Sequence, residues 1–217
     1  MRSLLFAAMV IPTQQMDVWR TEEFLNILSN KVSASEKGLF IQVQRSASPL
    51  IFPLKSRVKV TGIKVSGAFH GLPKFSDVSQ QGLKGSDDYA LRIGIIVPGD
   101  KRLSGVKKIF ASQWVRQLYN QVPSGTGLDH VHFFNMTQNP AQVGKSRKHP
   151  ASDLMEEEFI FLIEKAGSFG YNYELNHPLE AVAVWISIDG DDTKSDYDVL
   201  VSKLELVVED VAGQAKK

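Results

Sequence analysis

The chain has 217 residues, with 25 Lys and Arg against 24 Asp and Glu, no cysteine, and hydrophobic residues at 43%. That length and composition supply one apolar core without disulfide staples, which excludes small disulfide scaffolds, collagen-like repeats and intrinsic disorder. A net charge of +1 gives no general attraction to nucleic acid or anionic membrane, and the lack of cysteine excludes thiol catalysis and Cys-ligated zinc.

At the start, Arg2 precedes an apolar stretch from Leu4 to Ile11 that Pro12 ends. The run is too short to span a bilayer, so no transmembrane span is expected. A positive residue before a brief apolar run resembles a secretory signal. Residues 1–15 are therefore read as a signal or N-terminal apolar segment, and 16–217 as a single β-sandwich domain that is periplasmic or secreted. If Leu4 to Ile11 is instead a strand, a cytoplasmic chain is expected.

Beyond this segment the main signal is period-two alternation broken by Gly, Pro, Asn and Asp, the rhythm of β-strands. Leu39, Ile41 and Val43 share one face of a strand whose other face carries Gln42 and Gln44. In 57–69 the apolar phase slips, since Val58 and Val60 are even positions and Ile63, Val65 and Phe69 odd. One inserted residue reverses the phase, which predicts a β-bulge at Thr61-Gly62. Tyr89, Leu91, Ile93, Ile95 and Val97 alternate again, with Arg92 and Gly94 opposite.

A flanking helix is predicted after Ser104, a fitting N-cap, because Val106, Ile109, Phe110, Trp114 and Leu118 fall on one face. His130 to Met136 reads as a strand, and 135–150, rich in Asn, Gly, Ser, Pro and basic residues, as a long surface loop. The segment 152–165 carries mixed signals. Its aromatic and β-branched run Phe159-Ile160-Phe161-Leu162-Ile163 favours a strand from Glu157 to Glu164. Near the C-terminus, Val182, Val184, Ile186 and Ile188 form one alternating run and Leu200, Leu204, Leu206 and Val208 another. The turn-rich Asp189-Gly190-Asp191-Asp192-Thr193 between them predicts a hairpin. The fold class is mainly β: an antiparallel β-sandwich of about eight to ten strands with one flanking α-helix.

The order of these features resembles a known family. Gly85-Ser86-Asp87-Asp88-Tyr89-Ala90-Leu91-Arg92 runs into an apolar strand, a later strand ends in Lys165-Ala166-Gly167, and Ile186-Ser187-Ile188-Asp189-Gly190-Asp191-Asp192-Thr193 precedes the last strand. This is similar to the bacterial exported family called domain of unknown function 3047, over roughly Lys37 to Val208. The resemblance implies a sandwich of jelly-roll type, like carbohydrate-binding modules, with the activity left open. Asp87 and Asp88 match the first motif, and Asp189, Asp191, Asp192 and Thr193 the second. The chain departs from the family after Gly167, where a segment before the penultimate strand is shortened to roughly Ser168 to His177.

Asp87-Asp88 and Asp189-Gly190-Asp191-Asp192 both sit at strand ends. Carboxylates gathered there by two loops have the hard oxygens that Ca²⁺ takes. The pattern is not an EF-hand, because Lys194 stands where that motif needs Gly and Leu200 at its twelfth position. The alternative is that the Asp side chains close turns and solvate loop tips. His130 and His132, two apart on a strand, place both imidazoles on one face at a spacing seen in metal sites. Asp129, His149 and His177 are the remaining candidates for a third ligand.

Trp185, Tyr171 and Tyr173 are the candidate ligand-binding residues, since flat aromatic faces suit the C–H side of a sugar. Trp185 has small same-face neighbours, Ala183 and Ser187, and Tyr171 and Tyr173 share a face. Nucleophile-elbow, phosphate-loop, zinc-protease and dinucleotide motifs are all missing. A glycosidase needs only a pair of carboxylates, for which Asp87, Asp88, Glu156, Glu157, Glu158 and Asp191 are available. The basic segments Lys101-Arg102, Lys107-Lys108 and Lys145-Ser146-Arg147-Lys148 lack interleaved aromatics, so no nucleic acid is expected. The sequence therefore points to a non-catalytic binding domain for a polysaccharide or cell-envelope glycan. A hydrolase or lyase using a carboxylate pair is the alternative.

Overall fold

The computed structural model describes residues 6–100, 119, 127–150 and 152–209. The described residues form eleven strands: β1 (Phe6–Ile11), β2 (Arg20–Thr21), β3 (Lys31–Ser35), β4 (Gly38–Gln44), β5 (Leu50–His70), β6 (Leu91–Gly99), β7 (Gly127–Thr137), β8 (Ser146–Lys148), β9 (Met155–Leu162), β10 (Gly167–Ser187) and β11 (Asp196–Glu209). They are hydrogen-bonded in the order β3-β4-β11-β5-β10-β6-β7-β9-β8, with β1 along β11 and β2 along β5. The pairing is antiparallel except between β7 and β9, which run parallel.

The helix expected over 104–118 lies outside the described residues. Besides strands, the named elements include one 3-10 turn, Val78–Gln80, whose preceding Asp77 accepts a bond from the Ser79 amide. Among the described residues no helix is long and apolar enough to cross a membrane.

The apolar N-terminal segment is built into the sheet as β1, with Ile11 buried and Phe6 and Val10 exposed. The predicted bulge is present: Val60 pairs with Val208 and Gly62 with Val207, which leaves Thr61 as the inserted residue. The expected C-terminal hairpin is not formed. Strand β5 lies between β10 and β11 and pairs with both of them. The segment read as a loop over 135–150 is partly sheet. Asn135 to Thr137 belong to β7, and Ser146–Lys148 pairs with β9.

Strand β6 is buried on both faces over Leu91 to Val97. Leu91, Ile93, Ile95 and Val97 enter the large core with Leu39, Ile41, Phe134, Val184, Ile186 and Leu204. On the other side Ile96 joins Ile51, Leu128, Val131, Phe133, Val182 and Trp185 in a second cluster. Full burial of each such side chain contributes roughly 1.5–3 kcal/mol.

The register of β10 against β5 shifts between Ala181 and Ala183. Ala181 and Val184 consequently face the large core, whereas Val182, Ala183 and Trp185 face the second cluster. Tyr171 and Tyr173, upstream of the shift, pack against the large core. Odd-numbered residues of one strand thus end on opposite faces, since one irregularity inverts the side-chain phase.

Candidate functional site

A charged residue in the middle of a buried strand organises the site. Arg92 lies on β6 between Ser187 of β10 and Asn135 of β7, on the same side as Gly94 and the second cluster. A buried guanidinium is tolerated only when paired and hydrogen-bonded, and here three carboxylates surround it. Nη1 donates to Glu157 Oε1 at 3.2 Å, Nη2 stands 3.3 Å from Asp87 Oδ2, and Nε stands 3.0 Å from Asp189 Oδ2. Nη2 also donates to the Asp87 carbonyl. The guanidinium lies over the Tyr89 ring, 4.3 Å from its centroid, a cation–π contact that adds to its anchorage.

Glu157 is fully buried and also accepts from Asn135 Nδ2 and Arg147 Nε, both at 2.7 Å. Arg147 reaches it because β8 pairs with β9 in a register that sets Arg147 opposite Glu157. Asp189 accepts from the Ser187 hydroxyl at 2.7 Å. Its burial outweighs the nearby Arg92 charge and pushes its carboxyl up to about 7. Burial alone would also raise Asp87, but the Arg92 charge and the bond from His149 Nε2 at 2.9 Å outweigh it and hold that carboxyl at about 2.

The two aspartate loops are clasped to one another. Asp88 accepts from the Thr193 amide and hydroxyl, each at 2.6 Å, and from the Asp192 amide at 3.3 Å. The Asp87 amide in turn donates to Asp192 Oδ2 at 3.0 Å. Asp191 is raised to about 6, by burial and then by the charges of Asp88 and Asp192. All five aspartates singled out in the sequence are therefore brought together. Oxygens of Asp87, Asp88, Asp189 and Asp192 are engaged by Arg92, His149, side-chain hydroxyls and loop amides, and among the described residues no three aspartate ligand atoms lie within 4.8 Å of one another. This is the turn-closing role that the sequence also allowed.

The clasped loops wall a pocket of about 320 Å³. Phe24, Phe133, Met155 and Trp185 make its apolar side, and Asp87, Asp191, Asp192, Arg92 and His149 its polar side. Trp185 is buried and meets Phe133 edge-on, with ring centroids 5.6 Å apart and planes at 89°. Gly94 lies between them in the register. A Cβ there would meet Phe133 at 2.8 Å and Trp185 at 3.0 Å, so only glycine lets the two rings close over β6. Trp185 Nε1 has no hydrogen-bond partner among the described residues.

Tyr171 and Tyr173 are not in this pocket. Tyr171 donates to the Ile160 carbonyl and Tyr173 to Glu158 Oε2, both at 2.6 Å, on the opposite face of the sheet. Sequence reasoning offered Glu157 with Asp87, Asp88 and Asp191 as a carboxylate for a catalytic pair, but did not select Arg147, His149 or Phe24 for this site. The available signal was Arg92 itself, a lone charge inside the apolar run 91–97, because a buried cation demands carboxylates.

No family model matches the chain, and no curated protein matches it. Among solved structures it is similar to the carbohydrate recognition domain of Emp47p, at 10% identity over 93% of this chain and 95% of that one, with a TM-score of 0.40. It is also similar to the Ca²⁺-bound exoplasmic/lumenal domain of VIP36, at 10% identity over 94% and 90%, with a TM-score of 0.36. A third likeness, to the Agl-KA catalytic domain, has 9% identity and a TM-score of 0.35, and this chain spans 28% of that chain's length. The pocket is accordingly interpreted from its own residues.

Proposed function

We propose that the pocket binds a sugar unit and that the chain is a non-catalytic binding domain for a polysaccharide or cell-envelope glycan. The observation that carries this reading is the division of one pocket into an aromatic side, with Phe24, Phe133 and Trp185, and an acceptor-rich side, with Asp87, Asp191 and Asp192. A pyranose offers the matching pair of surfaces, apolar C–H groups on one side and hydroxyl donors on its rim. The jelly-roll form of the sandwich and membership of the domain of unknown function 3047 family belong to the same proposal.

A second reading has its own support. Asp189 and Asp191 are pushed up to about 7 and about 6 while Asp87 is held at about 2. Carboxyls driven apart in this way are what an acid-and-carboxylate pair in a hydrolase or lyase requires.

Affinity electrophoresis through gels containing neutral and acidic polysaccharides, with Ca²⁺ and with chelator, tests the first reading. Retardation by one polymer class, lost in Phe24→Ser and in Asp191→Asn, is the expected result. Absence of retardation across the panel overturns it. Release of reducing ends from a retarding polymer, abolished by Asp191→Asn, would transfer the site to the second reading.

A further inference from the structure

On the opposite face of the sheet from that pocket, we infer a binding site for one divalent first-row transition-metal ion, held by His130 Nε2, His132 Nδ1 and Glu156 Oε2. The two histidines are alternate residues of β7 and share a face, and parallel pairing with β9 sets Glu156 beside His132. Glu156 Oε2 stands 3.6 Å from His130 Nε2 and 3.7 Å from His132 Nδ1, and the three ligand atoms all lie within 4.8 Å of one another. Tetrahedral bonds of about 2.0–2.1 Å set ligand atoms about 3.4 Å apart, so the two carboxylate–imidazole contacts need tighten by only a few tenths of an ångström.

The hydrogen bonding around the triad supports the same assignment. His130 Nε2 and His132 Nδ1 are buried and have no hydrogen-bond partner among the described residues. The other nitrogen of each ring is taken by a carboxylate: His130 Nδ1 is 3.1 Å from Asp129 Oδ2, and His132 Nε2 is 2.9 Å from Glu158 Oε1. Glu158 is itself fixed by the Tyr173 hydroxyl. A carboxylate on the remote nitrogen fixes ring orientation and tautomer and makes the near nitrogen a better ligand, which is the usual outer shell of metal-bound histidine. Unspent buried nitrogens are costly without a partner, and one cation would satisfy both.

Two imidazoles and a carboxylate suit zinc and its first-row neighbours, not Ca²⁺ or Mg²⁺, which take oxygen ligands. The Glu156 side chain is 39% exposed against 13% and 12% for the histidines, so the ion enters from the carboxylate side. Three protein ligands leave a coordination position open to water or to an exogenous ligand.

The test is titration of the purified full chain with Zn²⁺ by calorimetry, and with Co²⁺ followed by its visible spectrum. One Zn²⁺ per chain is expected, with Co²⁺ bands of mixed nitrogen and oxygen ligation. His132→Gln and Glu156→Gln should each weaken binding at least ~10-fold, and His70→Gln should leave it unchanged. Glu156→Gln alters a partly exposed side chain, and an unchanged circular dichroism spectrum verifies its fold. Absence of saturable binding of either ion by the parent chain overturns the assignment, as does binding that Glu156→Gln and His132→Gln leave unaltered. Retardation by polysaccharide is scored separately and is not moved by Glu156→Gln, so this site and the pocket stand or fall independently.

Discussion

Replacing Arg92 with Met tests the central electrostatic claim. Met retains much of the apolar stem but removes the cation that Glu157, Asp87 and Asp189 share. Breaking a buried ion pair from one side costs about 3–5 kcal/mol, because the remaining charge is left without compensation. Residual partners set the expected value here. Glu157 keeps Arg147 and Asn135, Asp87 keeps His149, and Asp189 keeps Ser187. The loss should therefore lie near the lower end, about 3 kcal/mol at pH 7. For a chain of this size that lowers Tm by roughly 6–12 °C.

Urea unfolding followed by tryptophan fluorescence at pH 7 and pH 5 measures it. The deficit should shrink at the lower pH, because a buried carboxylate without its cation takes up a proton and sheds its charge. Arg45→Met is the control. Arg45 and Asp196 form an exposed pair at 3.9 Å, and removing it should cost less than about 1 kcal/mol. A deficit below about 1 kcal/mol for Arg92→Met at pH 7, or one that fails to shrink at pH 5, would refute the reasoning.

Gly94→Val should destabilise by about 1–3 kcal/mol through overpacking against Phe133 and Trp185, with a shifted tryptophan emission maximum; an unshifted spectrum and full stability would show that the rings do not close over β6. Asp189→Asn addresses the pH dependence. In the folded chain Asp189 holds its proton up to about 7, above its ordinary 3.8, so between these values wild type loses stability as pH rises. The variant lacks this proton, and its stability relative to wild type should improve steadily from pH 4 to pH 7; parallel profiles would contradict the placement of Asp189. Asp87, held at about 2, has the opposite sign: its contribution is present above 3.8 and is lost as pH falls towards 2.

The strands themselves were legible. Alternation in 39–43, 91–97 and 184–188 places the same residues on shared faces as the structure does, whereas Val182 falls in the second cluster, and the phase slip in 57–69 located the bulge at Thr61. The joining of Asp87 and Asp88 to Asp191 and Asp192 followed from both groups lying at strand ends, and in the structure their oxygens meet Arg92 and loop amides. Trp185 lies on the other face of the sheet from Tyr171 and Tyr173. The register shift at Ala181–Ala183 depends on how β5 lies alongside β10, and no local signal in β10 reveals it.

Periodicity and turn residues act over a few neighbours, so the sequence by itself determined which segments are strands and which side chains each strand presents together. Strand order is decided by the burial gained when distant segments meet. That is why β5 separates β10 from β11, why β8 brings Arg147 to Glu157, and why a parallel β9 lays Glu156 beside His132. Arg92 spans both levels. Its place in an apolar strand announces a buried charge, and only tertiary packing selects the carboxylates that make that charge tolerable.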